Sequence, residues 1–316
     1  MTDISLPEGL LTRSATRDDA QDIFLLNREH DLAERGESDS TVSDVLELWD
    51  NQQTDLNNNT CVITTSDGTL IGYTGVATTS DGVMLDVHTN VRRSALNAAA
   101  IAAHLLDFAE ARARVLLAEQ PMLPRTLYTW SFSPRTTQLL AQHDYIVAST
   151  HYRMETTLTA EPPAPRHLEG ITIRPFVRGQ EDRAVYDVIA EAFPDIDGKP
   201  YRPYEDWQKA VFTRTSYDLS MFYVALAGDQ IVGTIICRVY PENGDGFISQ
   251  VAVRRAWRQR GIGLNLLLTA FKEYYRRGMR HIILEVDANS QTGAHELYRR
   301  ASMHVQLQVN YMTKAL

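Results

Sequence analysis

Long apolar runs and cysteines are scarce in this 316-residue chain. The longest apolar stretch, Leu96–Ala109, is interrupted by three polar residues and is shorter than the ~20 residues that cross a bilayer. It therefore predicts a buried helix and no membrane partner. The two cysteines, Cys61 and Cys237, lie in apolar, β-rich contexts and are expected to be buried thiols that act as small hydrophobic residues.

Positive charge is also scarce, because 31 lysines and arginines face 40 acidic residues and give a net charge of −9. Binding a nucleic-acid backbone requires a dominant positive field, so no nucleic-acid partner is expected, although local basic sites stay possible. Met1–Pro7 has neither the basic stretch nor the apolar core of a secretory signal, which predicts a cytoplasmic location.

The chain is longer than one typical domain of about 100–200 residues, and it matches itself weakly at an offset near 160 residues. Arg13 and Arg174 each end a short apolar run before an acidic stretch, and Gly72 and Gly233 each follow a turn typical of a hairpin. Thr159–Gly170 contains three prolines and reads as an extended spacer. These features predict domains at residues 1–158 and 171–316, joined by a linker at 159–170.

The segment Arg258-Gln259-Arg260-Gly261-Ile262-Gly263 lies between a predicted strand and a predicted helix. Its two glycines expose backbone N–H groups at the start of the helix, where unpaired donors and the helix dipole favour an anion. Arginines at 254, 255, 258 and 260 surround it in an otherwise acidic chain. A ligand with several phosphate groups, such as a pyrophosphate, fits this pattern.

Two other interpretations of the same glycines are a solvated basic loop and a dinucleotide site. For the second, Glu285 or Asp287 lies near the distance expected of a ribose-binding acid. The dinucleotide fingerprint is Gly-x-Gly-x-x-Gly directly after a strand. Here Leu266 occupies the position of its third glycine, and the two glycines do not follow the strand directly. The pattern therefore departs from the dinucleotide fingerprint.

Four segments in order resemble the GNAT acyltransferase superfamily: Val251-Ala252-Val253, Arg258 to Gly263, Leu284 to Asn289, and Thr292 to Tyr298. The tandem layout, with its acidic Glu191–Asp195 segment, resembles the mycothiol-synthase-like branch. The resemblance implies an α+β fold of two tandem domains, each a mixed, mostly antiparallel twisted sheet flanked by helices. It also implies acetyl-CoA, or another short acyl-CoA, as co-substrate, and no metal.

The resemblance also implies roles for particular residues. The Val251-Ala252-Val253 strand would present a free backbone edge to pantetheine, and Arg258, Gln259, Arg260, Gly261, Ile262 and Gly263 would hold the pyrophosphate. Tyr298 matches the family tyrosine that protonates the departing thiolate, although it also belongs to an apolar helical stripe. Asn289 occupies the turn that caps against the cofactor. Many relatives carry a glutamate on the strand before the loop, but no carboxylate stands at residues 247–250. Glu285 and Asp287 share one face of the next strand and are either proton relays or hydrogen-bonded structural acids; the base is assigned to Asp287 on spacing alone.

The first half lacks these features. Aligning the halves places Ala95 and Asn97 at the two glycine positions and Leu140 at the tyrosine position. Side chains there would obstruct the approach of a pyrophosphate to the backbone. Residues 1–158 are therefore interpreted as a degenerate copy.

The expected activity is transfer of an acetyl or other small acyl group to a primary amine of a small molecule, by a monomer or homodimer. The alternative is a non-catalytic acyl-CoA sensor that keeps the loop but lacks a base.

Overall fold

The computed structural model describes residues 6–36, 38, 41–51, 54–78, 85–123, 125–194, 201–213, 216–241, 244–290 and 292–316. The chain forms two compact units. The first consists of residues 1–149 together with Val309–Leu316, and the second of Thr150–Gln308.

The first unit is a sheet with helices on both faces. Its strands follow the order β1-β2-β3-β4-β5 and then the end of β12, and every recorded pair is antiparallel except β4 with β5. The strands are β1 (Leu10–Arg13), β2 (Thr60–Thr65), β3 (Leu70–Thr78), β4 (Leu85–Val91), β5 (Thr126–Ser131) and β12 (His304–Ala315). The helices are α1 (Ala20–Arg35), α2 (Val42–Asn51), α3 (Leu56–Asn59), α4 (Ala98–Glu119) and α5 (Pro134–Gln142).

The second unit repeats this plan. Its strand order is β6-β11-β10-β9-β8-β7, and the parallel pair is β10 with β11. The strands are β6 (Ile146–Thr157, which enters this unit at Thr150), β7 (Ile171–Pro175), β8 (Tyr223–Ala227), β9 (Gln230–Tyr240), β10 (Asp245–Val253) and β11 (His281–Asp287). The helices are α6 (Asp182–Ala192), α7 (Tyr204–Phe212), α8 (Ile262–Arg276) and α9 (Ala294–Arg300). The architecture is the predicted α+β arrangement.

Strand periodicity explains why helices cover both faces of the second sheet. Successive strand residues point to opposite faces, and along β9 the side chains of Ile235 and Cys237 pack with α8, whereas Ile236 packs with α6 and α7. The cysteine is fully buried, and Cys61 in β2 is also buried and free. Both cysteines therefore act as core residues, as their sequence contexts predict.

The compact units differ from the predicted domain boundaries. The second unit begins at Thr150, inside β6, because the end of that strand pairs with β11. The proline-containing segment also packs on this unit, since the Asn265 side chain bonds to both backbone groups of Arg166. Conversely, Val309–Leu316 belongs to the first unit, because Asn310–Ala315 pairs with β5.

The internal repeat recurs in individual contacts. In the first unit, the Arg92 side chain pairs with Glu29 and donates to the carbonyl of Leu70. Glu29 also accepts the Arg93 N–H. In the second unit, Arg254 pairs with Glu191, which accepts the Arg255 N–H, and donates to the carbonyl of Ile231. The offsets are 161 or 162 residues, which supports the repeat seen in the sequence.

We expect Gly246→Ala to destabilise the protein by about 1–3 kcal/mol, as overpacking usually does. A Cβ at Gly246 would lie 2.4 Å from Cε1 of the Tyr274 ring. That ring is fully buried, and its hydroxyl lies 2.9 Å from the Arg238 carbonyl oxygen and 3.1 Å from that of Phe247. The ring therefore has little room to move. Urea denaturation measures the loss.

A double-mutant cycle separates this clash from a general defect of β10. Tyr274→Leu removes the ring, so adding Gly246→Ala in that background should cost less than about 1 kcal/mol, since contacting residues are not additive. An equal cost in both backgrounds would contradict the clash.

Candidate functional site

A gap opens in the second sheet where β10 and β11 diverge. Their parallel pairing runs from Asp245 opposite His281 to Ile248 opposite Leu284 and then ends. At that point β10 has a bulge between Ile248 and Gln250 and continues in register with β9 alone. β11 stays paired with β6 as far as Asp287.

The backbone of Val251 and Val253 faces this gap. The Arg254 N–H bonds to the Val232 carbonyl on β9 at 2.9 Å. Because strand backbone groups alternate in direction, the N–H groups of Val251 and Val253 point to the opposite edge. The Val253 carbonyl accordingly accepts a bond from Arg258 Nε at 3.2 Å. By the same alternation Ala252 points its backbone towards β9, and its side chain is buried with α6 and α7.

The predicted phosphate loop, residues 258–263, ends at the first turn of α8. Gln259 and Gly261 have left-handed backbone conformations, with φ of 61° and 82°. Glycine adopts this conformation without strain, and left-handed residues in a turn direct successive N–H groups into an anion-binding concavity. Ile262 anchors the loop, because its buried side chain packs on Gly233. The helix begins there with Gly261 as its N-cap, a residue with no side chain to cap it, and the first N–H groups of a helix have no partner within the helix.

Gly263 is small for a different reason, which is the close approach of α9. A Cβ at this position would lie 3.1 Å from Cδ2 of Leu297. The glycine thus lets the helix that carries Tyr298 approach the start of α8.

The arginines around the loop do not all serve it. Arg254 is held by Glu191 at 2.6 Å and is therefore a structural residue. Burial raises the pKa of Glu191, but hydrogen bonds from the Arg255 N–H and the Arg254 side chain outweigh it, so this pKa lies below its usual value. Arg260 lies over the ring of Trp257, 4.7 Å from its centroid. Arg258 and Arg260 are the arginines within the loop itself.

Tyr298 lies on α9 and is 9% exposed. It packs in the core that α8 forms with the sheet, as its helical stripe predicts. Burial raises the pKa of its phenol to about 12. The side chain is therefore a protonated hydroxyl throughout the neutral range.

Asp287 and Asn289 form the turn after β11. The Asn289 N–H donates to Oδ1 of Asp287 at 2.6 Å, and His295 Nε2 donates to the Asp287 carbonyl at 2.8 Å. One carboxylate oxygen of the predicted base thus holds the turn. Glu285, on the same face of the strand, lies 4.0 Å from Arg153.

Sequence reasoning did not identify a polar network around Gln250. Its amide accepts a bond from Trp207 Nε1 at 3.1 Å and donates to the Tyr201 hydroxyl. Burial raises the pKa of Tyr201 to about 12. The spacing of Tyr204 and Trp207 on one helix face was an available signal, but nothing in the sequence connects that face to Gln250.

The first unit has a helical turn in place of the phosphate loop. Ile101 and Leu105 pack on Gly72 as Ile262 and Leu266 pack on Gly233. This equivalence places Ala100 and Ala102 at the two glycine positions, so the alignment to Ala95 and Asn97 was wrong by five residues. Because α4 already begins at Ala98, it covers the positions at which the other unit has its open loop.

The tyrosine equivalence is supported. The backbone carbonyl of Leu140 accepts the Tyr145 N–H, just as the backbone carbonyl of Tyr298 accepts the Met303 N–H. In each case the residue before the donor, Asp144 or Ser302, has a left-handed backbone conformation. Leu140 therefore occupies the Tyr298 position.

Comparison with known proteins identifies the family of this chain. Residues 183–303 match the model of the acetyltransferase (GNAT) family. The crystal structure of a GCN5-related N-acetyltransferase from Sphaerobacter thermophilus superposes with a TM-score of 0.82 at 32% identity, covering 98% of this chain and 97% of that one. The chain belongs to the GNAT family.

A further solved structure and several curated relatives are also similar to this GNAT protein. A tandem GNAT protein from the clavulanic acid biosynthesis pathway superposes with a TM-score of 0.73 at 11% identity, over 97% of this chain and 98% of that chain. Curated relatives are named mycothiol acetyltransferase. The one from Salinispora tropica is 28% identical over 78% of this chain and 80% of its own length. The one from Pseudarthrobacter chlorophenolicus is 29% identical over 51% of each. In several such alignments this GNAT chain spans about half the length of the curated relative.

Membrane-spanning helices and metal clusters are both absent from the described part of the GNAT chain. No helix there has the length and apolar character needed to cross a bilayer. No group of three or more His, Cys, Asp or Glu side chains there is placed to hold a metal ion.

Proposed function

We propose that this GNAT protein transfers an acetyl group from acetyl-CoA to a primary amine of a small molecule, at a site in the second unit. One combination of observations carries the proposal: β10 parts from β11 after Ile248, the following helix starts at a left-handed glycine, and Tyr298 packs in the same core as Val251 and Val253, whereas the first unit has a helical turn and a leucine at the equivalent positions. The names of the curated relatives support a small-molecule acceptor. We further propose a cytoplasmic location.

The residues fit acetyl-CoA, which supplies an activated thioester. Val251 and Val253 would pair with the amides of its pantetheine arm. The N–H groups from Gln259 to Gly263, with Arg258 and Arg260, would bind the pyrophosphate, since an N-terminal dipole and guanidinium groups both favour phosphate. Asn289 would line the cofactor side of its turn.

The chemistry requires a neutral amine, an oxyanion donor and an acid. The Val251 N–H is the proposed oxyanion donor, because it faces the gap and is held rigidly by β10. Tyr298 is the proposed acid for the thiolate. Asp287 is the proposed base and would accept the amine proton through a water molecule. Its Oδ1 also accepts a hydrogen bond from the Asn289 N–H.

The decisive experiment measures thiol release from acetyl-CoA against a panel of small primary amines, with a control that lacks amine. The proposed enzyme releases thiol only when an accepted amine is present and forms the acetylated product in equal amount. The alternative is an acyl-CoA sensor. It is favoured by the amide of Gln250, which stands where a carboxylate base would be needed, and by the hydrogen bond that already engages one oxygen of Asp287. It would bind acetyl-CoA and release no thiol with any amine.

We expect Asp287→Asn to lower kcat/KM by about a hundredfold to a thousandfold, the lower part of the range for general acid–base catalysis. Asparagine keeps an oxygen acceptor for the Asn289 N–H, so the turn should persist while the proton acceptor is lost. Steady-state kinetics over a pH series provides the measurement. Glu296→Gln, on the neighbouring helix, is a control that should change little. A full rate in the Asp287→Asn variant would remove Asp287 from the chemistry.

A further inference from the structure

A polar cavity of about 230 Å³ lies in the first unit, at the point where β4 and β5 diverge. Among the residues that the structure describes, those strands pair at Leu85 with Leu127 and at Asp86 with Tyr128. Beyond these pairs, α1 lines one side of the cavity and the two strands line the other. This unit therefore keeps the gap between diverging strands, although it lacks the open phosphate loop.

Glu34 on the cavity wall has an unused oxygen. Its side chain is 3% exposed, and Oε1 accepts hydrogen bonds from Ser133 Oγ and Thr136 Oγ1, both at 2.6 Å. Oε2 is buried and has no partner among the residues that the structure describes. Leaving a buried carboxylate oxygen unpaired costs free energy. A donor that reaches Oε2 from the cavity would remove this cost.

A second carboxylate on the wall, that of Asp31, favours a cationic donor. Asp31, also on the wall, accepts a bond from Ser38 Oγ at 3.0 Å, and His30 lies 3.6 Å from Oε1 of Glu34. His88 is neutral near pH 7, because burial lowers its pKa to about 4. Its Nε2 lies 3.2 Å from the Asn90 amide nitrogen. That nitrogen can only donate, so Nε2 of His88 is the acceptor of this bond.

An aromatic wall completes the cavity. The Trp130 ring lies beside His88, with 5.2 Å between ring centroids. Aromatic faces attract ammonium groups. The volume lies below the usual 300–1,000 Å³ of drug-sized pockets, so the cavity suits a small compound.

We propose that this cavity binds a small primary ammonium compound, whose N–H groups donate to Glu34 Oε2 and Asp31 beside the Trp130 ring. The site binds without catalysis, because α4 covers the place where a phosphate loop would admit an acyl-CoA. The proposal is independent of the activity assigned to the second unit.

The test uses butylamine hydrochloride, with butan-1-ol as the neutral probe of similar size. Binding to the full chain is measured by calorimetry, and its place by the indole N–H resonance of Trp130, which is assigned with Trp130→Phe. Butylamine should shift this resonance saturably, and butan-1-ol should bind at least tenfold more weakly. Equal binding of the two probes, or an unmoved Trp130 resonance at saturation, would overturn the proposal.

Glu34→Gln should weaken the Trp130-linked binding of butylamine at least tenfold. Glutamine keeps an acceptor for Ser133 and Thr136 and replaces the unused oxygen by a donor. Glu47→Gln, on an exposed position of α2, is the matched control and should bind as the wild type does. Gly261→Glu should also bind normally, which separates this site from the acyl-CoA site. Unchanged affinity in the Glu34→Gln variant would refute the role of Glu34, and should that variant not fold, the wild-type resonance test still decides.

Discussion

Replacing Tyr298 by phenylalanine is expected to lower kcat by about 10²–10⁴-fold, the usual contribution of general acid catalysis, with little change in acetyl-CoA affinity. The phenol is proposed to donate its proton to the thiolate as it leaves, so only the transition state loses an interaction. The substitution removes one hydroxyl and keeps the ring that packs in the core. Steady-state rates and calorimetric titration with acetyl-CoA measure the two effects separately.

The matched control is Tyr275→Phe, which removes a phenol from the far end of α8, where the ring packs against Arg280. Its kcat should stay near the wild-type value. Wild-type kcat in the Tyr298→Phe variant, with chemistry shown to limit the rate, would leave Tyr298 with a packing role only. The sign of the pH dependence follows from its pKa of about 12. An acid is active while protonated, so this group should cause no loss of kcat up to about pH 11.

Gly261→Glu should weaken acetyl-CoA binding by more than about 100-fold, which corresponds to roughly 2.7 kcal/mol. The left-handed backbone at Gly261 disfavours any side chain. The added carboxylate would also repel the phosphates that the helix N-terminus attracts. Calorimetry should show one acetyl-CoA site per wild-type chain and no measurable site in the variant.

Gly278→Glu is a closely matched control, because Gly278 follows the same helix with φ of 84° against 82° at Gly261. Both variants carry the same backbone strain and the same added charge, but only one alters the loop. Equal losses in the two variants would indicate general destabilisation. Undiminished binding in the Gly261→Glu variant, or two sites in the wild-type chain, would place the cofactor elsewhere.

The sequence predicted the second unit well because its signals are local. The glycines at 261 and 263, the helix after them and the turn at Asn289 each depend on a few adjacent residues, and the structure has both a helix that begins at Ile262 and a turn after β11 in which Asn289 donates to Asp287. The sequence did not reveal that Arg254 is occupied, because its partner Glu191 lies 63 residues earlier. The charge of an arginine is visible in a sequence, but its ion pair is not.

The first unit was predicted less well, since its helix α4 begins one turn earlier than the equivalent helix α8. An alignment by residue type matched Ala95 and Asn97 to the glycines, whereas packing on Gly72 fixes the equivalence at Ala100 and Ala102. The cavity at Glu34 was also missed, because its wall combines segments that are about 50 and 100 residues apart. Strand pairing is similarly non-local, so the partner of β12 could not be read from its sequence.

The assignment of Val309–Leu316 to the first unit affects how the protein is made. Residues 1–149 emerge from the ribosome long before the strand segment that pairs with β5 exists. At about 5–20 residues per second, synthesis of the intervening 150–308 takes roughly 8–32 s. During that time the edge of β5 has no β12 beside it, and exposed strand edges are aggregation-prone. The half that is synthesised first therefore completes its sheet last, and chaperone demand during translation should be greatest for this half.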